Sequence, residues 1–408
     1  MSFEFLMAKF CVFCGKKPQE KTKEHIIPKW LIEYTGDPKR LIQLGERNIA
    51  FDQLTFPACD KCNNDYAKLE DKAKVALLKI FNDQEVTQED LSVLLDWFDK
   101  VRVGLWLLSL RMTNFFPELT QDLEPKFYIS NRIRTSDRLL KIKKLKNTRQ
   151  GINFIGITSP QFLSTPSCFG IIINNYLFTN LSMQFLFNQR LGFPKIKNIS
   201  FDENFNMIAS GISNASGKMQ RPLVSNILEN TGVTIFQAII PTSVVSFMDN
   251  SNKEKFLYKP YAQGVGKIFI LDKTYNIFKQ RPLKLEIYQA SISNYDDMAI
   301  FYDEISKLQT HLQKQTIATL KTSKSIPSSL KENMEAFLDI TDKTHNILHQ
   351  EASKDLLKSS INDVITYIKE SDSSTPTIRQ QEIMEVLSEY IVRKNRGENI
   401  SLGVKPKK

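Results

Sequence analysis

Two C-x-x-C pairs, Cys11/Cys14 and Cys59/Cys62, stand 44 residues apart in a chain of 408. Each short knuckle points two sulfurs at one place, so the four thiolates can surround Zn²⁺ tetrahedrally. A redox dithiol, or cysteines that simply pack in a core, are the competing readings. The fifth cysteine, Cys168, is alone, and five cysteines in a chain this long do not make a disulfide framework. A second spacing that can bind metal is His345 and His349, four apart in THNILHQE, but the glutamate that would follow the first histidine in a zincin is absent. His311 and Cys168 are assigned no chemistry.

KTKEHIIPKWL at 21–31 lies between the cysteine pairs, and the second pair runs into CDKCNNDYAKLED at 59–71. Together these segments resemble HNH (ββα-metal) endonucleases of a bacterial group with C-x-x-C-G, T-K-E-H-x-I-P-x-W-L and C-x-x-C-N-N motifs. The match covers residues 11 to 71, about one sixth of the chain. The resemblance implies a β-hairpin and helix around a catalytic divalent ion, with structural zinc on Cys11, Cys14, Cys59 and Cys62. By position it makes His25 the general base, Glu24 the acidic metal ligand and Asn63 the ligand at the start of the helix. Each role suits its residue type. Histidine titrates near neutrality and can take a proton from water, while hard oxygen donors suit Mg²⁺ or Mn²⁺.

Glu70 follows Asn63 by seven residues, two helical turns, which puts it on the same helix face and makes it a further candidate ligand. The alternative is a solvated charge which, with Asp71, pairs with Lys74. The family's middle asparagine has no clear counterpart in RNIAFDQLTFPAC; Gln53 or Asn48 is the nearest substitute. Trp30 and Leu31 are read as core of the small domain.

The elements that must position these groups form an α+β chain of several domains. The expected division is an HNH-type domain over 1–82, a helical connector over 83–124, a strand-rich domain over 125–290, a helical region over 291–396 and a basic tail over 397–408. Apolar spacing predicts helices from Asn64 to Phe81 and from Gln88 to Met112, the latter opened by a capping box of Thr87 and Asp90. Short β-branched and aromatic runs such as FGIIINNYLF and VTIFQAII predict strands.

Net charge is +10, and from Lys126 to Arg149 nine Lys and Arg face the single acid Asp137. That concentration offers a phosphate-binding groove through Arg132, Arg134, Lys141, Lys143, Lys144 and Lys146. The competing reading is a solvated hairpin whose lysines protect its edges. The chain is therefore expected to act on DNA, with RNA as the other substrate class, in restriction or anti-phage defence. Two alternatives stay open: a non-catalytic zinc module that binds nucleic acid or a partner, and a nuclease subunit gated by an ATPase encoded nearby. The sequence is read as having neither a signal peptide nor a membrane-spanning run, and its cysteine usage suits a reducing, cytoplasmic setting.

Overall fold

The structure is a computed structural model that describes residues 10–18, 20–36, 39–44, 47–113, 128–145, 151–183, 196–201, 207–212, 232–240, 245–246, 248–258, 264–271, 283–284, 301 and 304–314. The chain divides into two compact units, 1–293 with 301–346 and 294–300 with 347–408. All described residues lie in the first. Lys146, His345, His349, the tail 397–408 and most of the expected region 291–396 fall outside them.

The fold is α+β, with mixed helix and antiparallel sheet. In chain order the elements are β1 (Lys21–His25), α1 (Lys29–Tyr34), β2 (Leu41–Leu44), β3 (Arg47–Ala50), β4 (Thr55–Cys59), α2 (Asp60–Phe81), β5 (Glu85–Val86), α3 (Gln88–Thr113), β6 (Asp137–Lys144), β7 (Ile152–Ile155), α4 (Pro160–Ser164), β8 (Cys168–Ile173), β9 (Tyr176–Met183), β10 (Ile196–Phe201), β11 (Met207–Ile212), β12 (Val233–Gln237), α5 (Asn250–Phe256), β13 (Ile268–Leu271) and β14 (Leu283–Lys284). Residues 304–314 are helical.

β1 and β4 pair antiparallel, with Lys21 opposite Cys59 and His25 opposite Thr55. Along β4 Phe56 and Ala58 are buried and their neighbours half-buried, the alternation of a strand with one face on a core. β4 leads straight into α2, whose Ala73, Ala76, Leu77 and Ile80 form one buried stripe. α2 begins at Asp60, four residues before the apolar pattern predicts, with Cys59 as its N-cap. Its first turn is DKCN, almost without apolar residues, so periodicity says nothing there.

The capping box that opens α3 is reciprocal: Asp90 N donates to Thr87 Oγ1 at 3.1 Å and Thr87 N to the Asp90 carboxylate at 2.8 Å. From Leu94 to Ser109 α3 is buried on every side, with Leu94, Leu95, Trp97, Phe98 and Val101 fully enclosed. A helix so surrounded must sit inside the protein. It packs against α2 and β2 and against a six-stranded antiparallel sheet in the order β13-β12-β6-β9-β8-β7. The apolar core runs without a break from Cys11 to Ile268, so the expected connector is a shared central helix. Among the described residues no helix is long and apolar enough to cross a membrane.

Candidate metal centre and active site

Cys11 and Cys14 lie in a tight turn closed by Gly15 N donating to Cys11 O at 2.9 Å. Gly15 has φ +70°, and a Cβ there would stand 2.7 Å from Tyr128 Cδ1, so the glycine after the first pair is needed twice over. Val12 N donates to Pro57 O at 2.9 Å and fastens this turn to β4. The second pair comes from the N-cap and first turn of α2. The four sulfurs lie within 4.8 Å of one another, with Cys14 Sγ and Cys59 Sγ 4.0 Å apart. Zn–S bonds of about 2.3 Å place sulfurs about 3.8 Å apart in a tetrahedron, so this set fits zinc with little adjustment. Burial pushes the Cys11 and Cys62 thiols up. Burial also raises Cys59, but hydrogen bonds from its cysteine neighbours outweigh it and hold that thiol down. A dication is what would let all four ionise together. Among the described residues these cysteines are the one group of three or more His, Cys, Asp or Glu side chains that could hold a metal.

His25 ends β1, half-buried, facing the 3-10 turn of residues 51–53 that precedes β4. Burial lowers its pKa, aided by nearby Lys29, while a hydrogen bond to the Asp52 backbone carbonyl and the Asp52 charge pull the other way. The net direction is down, so the ring is neutral at pH 7. In that form one ring nitrogen carries a proton and the other a lone pair. Asp52, on the turn before β4, is the residue whose backbone and charge act on the ring. Asn48 lies in the β2–β3 hairpin opposite Gln43, and Gln53 is exposed on the 3-10 turn. A backbone acceptor has no side-chain signature, which is why the sequence did not single it out.

Comparison with known protein families, curated proteins and solved structures finds no match to this chain.

Glu24 and Glu70 do come together, but on a lysine. Lys100 Nζ of α3 forms ion pairs with both carboxylates and a long 3.5 Å contact with His25 O. Lys100 is 1% exposed. Burial raises the Glu24 pKa despite Lys100, and raises Glu70 to about 7, with the Glu24 charge contributing. Neither sequence reading of Glu70 anticipated this arrangement: its partner is Lys100, and Lys74 sits 5.6 Å from the centre of the Trp30 ring. Asn63 is half-buried in the first turn of α2. Seven residues of helix set its Cα about 10.5 Å along the axis from that of Glu70. Because an ammonium already stands between Glu24 and Glu70, the expected divalent ion does not fit on that pair in this arrangement. The signal for Lys100 was in the sequence: Asp96, Asp99, Lys100 and Arg102 are charges inside a helix that is apolar all round, and such charges must be paired.

Among its described residues the basic stretch directs most of its charges at acids of this chain. β6 lies inside the sheet between β12 and β9. Lys141 and Lys143 are buried and bond Glu304 at 3.2 and 2.8 Å. Their pull outweighs burial and keeps the Glu304 carboxyl below its ordinary value. Arg138, fully buried, pairs with Asp96 and Asp99 of α3, and Arg134 pairs with Asp96 although half its side chain is exposed. Lys144 pairs with Asp83 at 3.4 Å. Arg132 is half-buried, and burial lowers its pKa. Trp30 is half-buried and Leu31 fully buried against the core, as expected. Cys168 is enclosed in β8, where burial pushes its thiol up.

Proposed function

We propose that residues 10–82 are an HNH-type nuclease module that hydrolyses phosphodiester bonds in DNA, with His25 as the base. The observation that carries this reading is the placement of His25. It ends the first of two antiparallel strands, the second strand runs into α2, and burial lowers its pKa so that the neutral ring offers a lone pair. A water within reach of that lone pair could be deprotonated as it attacks phosphorus, and a pKa below the ordinary histidine value keeps the base ready at neutral pH. The cysteine frame supports the reading by fastening β4: Val12 bonds Pro57 in its middle, and Cys59 at its end caps the helix.

A second reading is favoured by one observation. With Glu24 and Glu70 both occupied by Lys100, a zinc-stapled module that binds nucleic acid without cleaving it is the competing account. Incubating the zinc-loaded full-length protein with end-labelled single- and double-stranded DNA, with Mg²⁺, Mn²⁺ or a chelator, separates the two. The nuclease reading expects cleavage in at least one condition; DNA binding without cleavage in all of them favours the binding module.

A further inference from the structure

The Glu24–Glu70 pair converges as a cation site should, yet its surroundings suit an ammonium better than a metal ion. Lys100 enters from α3 between the two carboxylates, and the wall on another side is Phe13, whose ring centre is 5.9 Å from Nζ. Phe13 belongs to the turn between Cys11 and Cys14 and stacks on Tyr66 of α2 at 3.8 Å. Aromatic faces attract organic cations, whereas Mg²⁺ and Mn²⁺ ions seek oxygen ligands and keep part of their water. With Lys100 1% exposed and the Glu24 and Glu70 side chains at 9% and 18%, little solvent is left for such a shell. Charge gives the same answer. Two carboxylates and one ammonium leave a single negative charge at most; adding a dication beside the ammonium would reverse the sign and set two cations against each other.

We propose that Lys100 is the resident cation of the Glu24–Glu70 pair and keeps divalent ions off it. The pair is then a seat for α3 that ties β1, α2 and the cysteine turn to the central helix, and any divalent ion used in cleavage is held without Glu24 and Glu70. This bears on the nuclease reading for its meaning and not for its test, since ion binding is measured with no substrate present.

The test is Mn²⁺ uptake by zinc-loaded full-length protein, followed by loss of the free-ion paramagnetic resonance signal. Wild type and Glu70→Gln should give the same titration. Lys100→Met, which keeps the length and removes the charge, should take up one additional Mn²⁺ that the double variant Lys100→Met/Glu70→Gln does not. A wild-type uptake weakened about tenfold or more by Glu70→Gln, the loss typical of removing a ligand, would overturn the proposal. So would a Lys100→Met protein with normal zinc content and circular dichroism that gains no Mn²⁺. If Lys100→Met does not fold, the comparison of wild type with Glu70→Gln decides alone.

Discussion

The region of β1, β4 and α2 and the basic strand β6 drew the same expectation from the sequence, contact with nucleic acid, and they differ in where their polar groups are directed. Around His25 the side chains that matter are placed by short local devices: a turn closed at Gly15, a strand pair in fixed register and a helix capped by Cys59. On β6 the charges are consumed by acids from distant parts of the chain, Glu304 for Lys141 and Lys143, Asp96 and Asp99 for Arg138. A motif states a geometry because spacing is local. A run of charge states only a composition, and its meaning depends on partners up to 163 residues away.

The comparison is broken most severely by removing zinc. Cys14→Ser or Cys62→Ser should lose the metal and collapse the protection of residues 10–82, because zinc affinity is folding energy for such a module. Hydrogen exchange should rise there while β6, β8 and β9 stay protected; equal loss in both regions would mean that the shared α3 makes them one cooperative unit. Metal analysis that finds no zinc in wild-type protein would remove the cysteine site altogether.

Next in size is the ion pairing beneath the sheet. Glu304→Gln leaves Lys141 and Lys143 buried without their counter-charge, a loss of about 3 kcal/mol by analogy with broken buried pairs, seen as a lower Tm. The sign with pH follows from the depressed Glu304 pKa. Its contribution is complete above the ordinary glutamate value and is lost as pH falls through the lower folded value, so the variant should lose its deficit in acid. Lys143→Gln should leave the salt dependence of DNA binding unchanged, whereas a groove lysine would take about one unit from the slope.

Smaller again is Gly15→Ala. The positive φ and the 2.7 Å approach to Tyr128 should cost about 1–2 kcal/mol and weaken zinc retention without touching the sheet. Thr87→Ala, which removes one half of the α3 capping box, should cost about 1 kcal/mol and leave both regions otherwise alike. Thermal denaturation with zinc present measures both.

What the sequence made legible follows the same division. The four cysteines, the α3 cap and the apolar stripe of α2 were readable because each is set by residues within a turn or two of one another. The early start of α2 was not, because its first turn carries metal ligands and polar groups instead of a stripe. The partner of Glu70 was missed because Lys100 lies thirty residues away on another helix. β6 defeated pattern reading for a related reason: with both faces covered, adjacent Leu139 and Leu140 are buried together with Arg138 and Lys141, and no alternation survives.

The central claim rests on His25, and one substitution tests it most directly. His25→Ala should keep zinc, folding and DNA affinity and lose cleavage by about 10²- to 10⁴-fold, the usual contribution of a general base. In wild type, cleavage should rise with pH with a midpoint below the ordinary histidine value, because the folded His25 pKa is lowered and the neutral ring is the active form. Undiminished cleavage by a folded, zinc-loaded His25→Ala protein would contradict the account.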